Sequence, residues 1–192
     1  AGMLVLSRPF WASNVSEKEE RLMKILKLLL IATALIVLIC AGAFIVAGLT
    51  LPASQSFENE VEIDASADKV WDVITDKDRY VEWQTQLDKV EIANDKSWTE
   101  YPKDSPEPLK FSLGADERPS RMEFHYTMGN SFSGHWKGEI APTASGVKLK
   151  TTDSYSTQGL LTRILIYTFF DMESFAKDWN AKLKARVESL NK

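Results

Sequence analysis

Four side chains in this sequence have the chemistry for proton transfer and sit on strand-like segments: Asp153, Tyr155, Glu100 and Tyr126. Asp153 and Tyr155 are in phase with Val147 and Leu149, so a strand of period two turns them to the same side as those apolar residues. A carboxylate facing an apolar interior is costly unless it is paired or hydrogen-bonded. Such a group orients the polar head of a ligand or acts as a general base; the alternative is a wet carboxylate at a cavity rim. Glu100 and Tyr126 are weaker candidates of the same type. The histidines, His125 and His135, are out of phase with Phe124 and Trp136, which turns them to solvent. A metal would want a third ligand in their reach. None is evident in the sequence, so neither a metal site nor a cofactor is expected. No Ser/His/Asp set, glycine-rich phosphate loop or paired-carboxylate motif is present.

The elements that must hold these groups follow from hydrophobic patterning. From Phe57 to Ile63, apolar Phe57, Val61 and Ile63 alternate with Glu58, Glu60 and Glu62, the pattern of a half-buried strand. Cap-type residues Asp64 to Asp68 precede a short amphipathic helix carrying Val70, Trp71, Val73 and Ile74. Asp76 to Trp83 reads as a second short helix or turn with Tyr80 and Trp83 inward. Strands follow over Leu87 to Ala93 and Ser97 to Tyr101, then after a proline-rich loop at Leu109 to Leu113, Met122 to Met128, Phe132 to Ile140 and Val147 to Tyr155. Gly129-Asn130 is a tight hairpin signal. The last element is one long helix, about Leu160 to Leu190, with an apolar stripe through Leu161, Leu165, Thr168, Met172, Phe175, Trp179, Leu183, Val187 and Leu190.

The expected architecture is therefore α+β. A curved antiparallel sheet of about six to seven strands is wrapped on a long C-terminal helix, with two short helices after the first strand. Trp83, Phe111, Phe124, Tyr126, Trp136 and Tyr155 all turn inward. Six aromatics with a few polar groups suit an apolar ligand, although rings in these positions also simply fill a core. Leu160 to Phe170 has more apolar residues than a one-faced helix needs. It reads as a covered helix start, a cavity lid, or a patch that touches a bilayer or a partner.

Ahead of the domain, Leu28 to Leu51 holds no charged residue. As a helix it is roughly 36 Å long against a hydrocarbon core of about 30 Å, enough to span with some tilt. Arg8, Lys18, Arg21, Lys24 and Lys27 precede it, and Glu58, Glu60, Glu62, Asp64 and Asp68 follow. The positive-inside rule puts residues 1–27 in the cytoplasm and the domain outside, which in a bacterium is the periplasm or the outer face. The expected organisation is a cytoplasmic segment 1–27, a transmembrane helix 28–51, a linker 52–56 and a folded domain 57–192. Ala1-Gly2 before Met3 looks like an added scar, and Met23 to Lys27 like a natural start; a cleaved signal peptide is the competing reading. Cys40 has a poor lipobox, because Ile39 precedes it.

The chain carries a formal net charge of −4, and the residues before Ser54 contribute five basic and three acidic side chains, leaving the domain near −6. That excludes a basic surface for nucleic acid and a polybasic clamp on anionic lipid. Cys40 is the single cysteine, so no disulfide or cysteine metal site forms within one chain.

From about Ser56 to Lys192 the order of elements and particular residues resemble a known family. The run Ile63-Asp64-Ala65-Ser66-Ala67-Asp68-Lys69-Val70-Trp71-Asp72-Val73-Ile74-Thr75-Asp76, the later Tyr80 and Trp83, and the stretch Phe175 to Leu183 resemble the START-like superfamily, also called SRPBCC, in its polyketide cyclase/dehydrase and lipid-transport type. The resemblance implies a helix-grip fold enclosing a deep apolar cavity and, in many members, a hydrophobic ligand. The family includes enzymes, carriers and chaperone activators. The expected function is a membrane-tethered extracytoplasmic domain that binds a hydrophobic small molecule or lipid through Trp83, Phe111, Phe124, Tyr126, Trp136, Asp153, Tyr155 and Phe170. One alternative is a cyclase- or hydrolase-type enzyme using Asp153 or Tyr155. The other is an interaction module with a membrane-protein partner.

Overall fold

The computed structural model describes residues 10–191, with side chains from Lys18 onward. Arg8 and the Ala1-Gly2-Met3 start lie outside the described residues. The chain forms two compact units, one up to Ala47 and one from Gly48. The first is the body of a helix, α1 (Phe10–Thr50), whose part from Lys18 to Thr50 is long and apolar enough to cross a membrane.

The second unit begins where Arg163 Nη1 donates to the carbonyls of Gly48 (2.9 Å) and Leu51 (3.2 Å). Strand β1 (Ser54–Ile63) starts within the stretch read as a linker. Then come α2 (Ala67–Thr75), a 3-10 turn at Lys77–Arg79, α3 (Tyr80–Trp83), β2 (Leu87–Asn94), β3 (Ser97–Pro102), β4 (Leu109–Glu117), β5 (Arg121–Met128), β6 (Phe132–Pro142) and β7 (Val147–Thr157). Helices α4 (Leu160–Phe169) and α5 (Met172–Ser189) close the chain. Ser66 caps α2 by accepting from Lys69 N at 3.3 Å, as the cap-type residues predict.

All seven strands lie in one antiparallel sheet in the order β1-β7-β6-β5-β4-β3-β2. Only the first strand is out of chain order, so β1 and the last strand pair along ten residues, from Ser54↔Ser156 to Ile63↔Val147. One face of the sheet is apolar and meets α2, α3 and α5; Ile63, Val70, Ile74, Leu149, Leu183 and Val187 are at most 1% exposed there. The expected α+β helix-grip architecture is present.

The C-terminal helix differs from the sequence reading in one respect. It breaks at Phe170-Asp171, where Phe170 is extended (φ −124°, ψ 116°) and Asp171 caps α5 by accepting from Ser174 N at 2.9 Å. Beyond the break, Trp179, Leu183 and Val187 of the expected stripe pack into the core. The buried face of α5 is Ala176, Asn180, Leu183 and Val187, while Leu161, Leu165 and Phe175 of the expected stripe are exposed. Asp171→Ala removes the cap and should lower stability by about 1 kcal/mol in urea denaturation. An unchanged midpoint would mean that tertiary packing, not the cap, holds the break.

Candidate functional site

The inner face of the sheet carries a chain of touching rings. Trp83 meets Trp179 of α5 and Trp179 meets Trp136 of β6, each at 5.5 Å between centroids. Trp136 stacks on Phe124 (5.0 Å, 16° between planes), Phe124 meets Trp98 edge-on, and Trp98 stacks on Phe111 (5.0 Å, 8°). From Phe111 the chain continues through Tyr126, Phe132 and Tyr155 to Phe57. Offset-stacked and edge-to-face pairs at these spacings are favourable beyond the area they bury. Gly134 makes one contact possible: a Cβ there would lie 2.1 Å from the Tyr126 ring, so only a glycine lets Tyr126 lie across β6.

The ladder has a dry end and a polar end. Trp83, Phe124 and Trp136 are buried and belong to the dry end, where they fill the space between the sheet and α5. The resemblance led us to expect a deep cavity there; these rings occupy that space instead. Two depressions stand out among the described residues, and both lie elsewhere. One, of about 570 Å³, is on the outer face of the sheet over β1, β5, β6 and β7. The other, of about 620 Å³, runs between edge strand β1 and α5.

At the polar end, β7 presents Thr151, Asp153 and Tyr155 inward, in the phase the sequence predicts. Tyr155 donates its hydroxyl to Gln55 Oε1 at 2.7 Å. Asn180 of α5 donates to Thr151 Oγ1 at 2.9 Å. Asp153 has no such partner: its Oδ2 is buried without a hydrogen bond, as are the hydroxyl of Tyr167 on α4 and Nδ2 of Asn59. Burial raises the Asp153 carboxyl to about 7, because the interior penalises its charge and nothing nearby offsets that. Tyr126 is pushed far up by burial first and then by the neighbouring Asp153 and Tyr155. Burial also raises Tyr155, with Tyr167 adding to it. A buried carboxyl whose ionisation is pushed up toward neutral pH, beside the Tyr126 phenol, can accept or donate a proton and can hold the polar group of an otherwise apolar molecule.

The remaining residues singled out in the sequence fall apart from this cluster. Glu100 is buried on β3, where Trp98 Nε1 donates to it at 2.9 Å and Lys77 Nζ sits 4.5 Å over the Trp98 ring. Burial lifts Glu100 to about 7 and lowers Lys77, so both resist ionising. Phe111 and Tyr126 are half-buried at the bend of the ladder. Phe170 is 61% exposed at the helix break, outside the ladder. Sequence reasoning missed Tyr167, Asn59 and Asn180 as site residues. Asn180 was hidden because a polar residue gives no hydrophobic signal, although it shares the packed face with Trp179, Leu183 and Val187.

His125 and His135 face outward, as their phase predicts, and form a direct cross-strand pair with rings 4.7 Å apart. The expectation that no third ligand lies in reach needs correction. Glu123, two residues before His125 on the same face, places Oε2 3.3 Å from His135 Nε2. Period-two spacing on one strand, combined with the cross-strand register, brings the three together.

A family model described as polyketide cyclase / dehydrase and lipid transport matches residues 54–190. No curated protein matches the chain. Solved structures share the fold at low identity. A conserved protein from Geobacillus kaustophilus superposes with a TM-score of 0.60 at 10% identity, covering 70% of this chain and 96% of its own. A Thalictrum flavum norcoclaurine synthase point mutant, solved with a transition-state analogue, gives 0.58 at 14% identity over 72% of this chain and 97% of its own. A START superfamily protein from Mycobacterium smegmatis gives 0.54 at 15% identity over 70% and 98%. The sheet with β1 paired to β7, the helix laid across its inner face and the match over residues 54–190 agree: the chain belongs to the polyketide cyclase / dehydrase and lipid transport family.

Proposed function

We propose that this chain is a membrane-tethered START-like domain that binds a hydrophobic molecule bearing one polar group. The observation that carries the reading is the inward Asp153, whose buried oxygen has no hydrogen-bond partner at the polar end of an aromatic ladder. A buried polar atom of this kind is costly in a purely structural role and is satisfied by a ligand's hydroxyl, carbonyl or amine. The ligand's apolar body lies against Phe111, Tyr126, Phe132 and Tyr155, and its polar group meets Asp153 and Tyr167.

Helix α4 is the lid in this reading. It carries Tyr167, none of its residues is fully buried, and Leu161, Leu165, Phe169 and neighbouring Phe170 are exposed. An element with so little buried area opens at low free-energy cost. The apolar helix at Lys18–Thr50 is the tether, and the basic flank before it favours a cytoplasmic N-terminus with the domain on the outer side. Tethering keeps the domain near the membrane that stores apolar ligands and raises their effective concentration.

The direct test is native mass spectrometry with lipid extraction on residues 48–192 purified from the native host. A stoichiometric apolar ligand is expected. A protein that carries none and takes up no apolar fluorescent probe would overturn the reading in favour of an interaction module with a membrane-protein partner. A second experiment addresses the lid. Phe169→Ser with Phe170→Ser should weaken sedimentation of residues 48–192 with liposomes several-fold while leaving the thermal midpoint near that of the parent. Equal sedimentation would remove membrane contact from the model of loading. A catalytic role is favoured by one observation, the Asp153 carboxyl near 7 beside Tyr126. Turnover of the identified ligand, lost in Asp153→Asn with binding retained, would make the domain an enzyme.

A further inference from the structure

We infer that Glu123, His125 and His135 form a binding site for a divalent transition metal, Zn²⁺ being the ion their chemistry fits best. The site is on the outer face of the sheet, opposite the aromatic ladder, and is independent of the ligand reading above. These are the only two histidines in 192 residues, and they sit directly opposite each other on β5 and β6. One ligand atom from each histidine and one carboxylate oxygen of Glu123 lie within 4.8 Å of one another. Donors around a Zn²⁺ ion at about 2 Å stand at most about 4 Å apart, so small side-chain rotations close the set. Two imidazoles and a carboxylate are a ligand set for zinc, with a fourth position left to solvent.

Three features of the surroundings fix these groups. Arg121 binds Glu123 Oε1 through Nε (3.1 Å) and Nη2, which leaves Oε2 turned to His135 at 3.3 Å. The arginine thus fixes the carboxylate from one side and leaves its other oxygen free to ligate. The β4–β5 register slips between Leu113 and Asp116, and Gly114 lies in that bulge beside the site. A Cβ at position 114 would stand 3.1 Å from His125 Nε2 and 3.2 Å from Glu123 Cβ. Glycine there keeps the imidazole edge clear. Lys137, opposite Glu123 in the register, is drawn away by Glu139 at 2.9 Å. The open position faces the depression lined by Ser133, Ser154, Ser56 and Thr127. An oxygen-bearing ligand can therefore approach the metal over a floor of hydroxyls.

The test is calorimetric titration of zinc chloride into the untagged full-length chain in detergent at pH 7.5, repeated with cobalt(II) to read tetrahedral visible bands. One ion per chain is expected, with affinity falling about tenfold or more in His125→Ala and in Glu123→Gln. Gly114→Ala should weaken it by crowding His125. No saturable uptake, or uptake unchanged in both His125→Ala and Glu123→Gln, overturns the proposal. His125 is exposed, so His125→Ala decides the matter if Glu123→Gln folds poorly.

Discussion

Trp136→Ala is expected to destabilise the domain by about 3–5 kcal/mol, the range for removing a large aromatic from a packed core. Trp136 is 8% exposed, stacks on Phe124 and meets Trp179 edge-on, so its loss opens a void bounded by rings that cannot all collapse into it. Urea denaturation followed by circular dichroism gives the number. Trp179→Ala and the double variant complete a cycle, and a coupling of about 0.5–1.5 kcal/mol is expected for the pair. Phe170→Ala, at an exposed ring outside the ladder, should change stability by no more than about 0.5 kcal/mol. The comparison bears on function. A Trp136→Ala loss below about 1 kcal/mol would mean that its ring borders a hollow, and the ligand would then belong at the dry end of the ladder as well.

The second large effect concerns pH. In the folded chain the Asp153 carboxyl is raised from 3.8 to about 7 by burial. Between those values the folded state holds a proton that the unfolded state has released, so stability falls as pH rises from about 4 to about 7 and is level above. Glu100, raised from 4.5 to about 7, has the same sign over nearly the same window. Asp153→Asn cannot ionise and escapes its share of the cost. At pH 8 it should be more stable than the parent by about 4 kcal/mol, or roughly 8–16 °C in thermal midpoint, and near parity at pH 4. The slope that remains belongs to Glu100. A variant no more stable at pH 8 would show that water or a partner already solvates the carboxylate. Asp153 would then have no unmet need for a ligand's polar group. Stability alone would favour an apolar residue at position 153.

Much of the fold was legible because alternation along a strand is local. Phe124 and Trp136 against His125 and His135, or Leu149 against Lys148 and Lys150, declare their faces from spacing two alone. The membrane-type helix was equally legible, since length and absence of charge are one-dimensional properties. The errors came where an element is defined by its ends or its partners. Nothing in the apolar spacing of residues 160–190 announces the break at Asp171; the capping bond to Ser174 N does. Once the apolar stripe was carried through that break, Phe175 was placed inside and polar Asn180 was overlooked, although the structure does the reverse.

The sequence by itself determined the family, the strand faces, the inward direction of Asp153 and the apolar N-terminal helix, because each is encoded in composition or in spacing within one segment. Tertiary structure alone decided which of those inward groups meet. Pairing β5, β6 and β7 side by side and laying α5 across the sheet set Asp153 beside Tyr126, left its oxygen without a partner, and packed Trp83, Phe124 and Trp136 into a filled core. The same is true of the outer face, where the register of β5 on β6 turned two histidines and a glutamate into a three-ligand cluster. Contacts between residues distant in sequence depend on register and on the space neighbouring side chains leave, and neither can be read from a single strand.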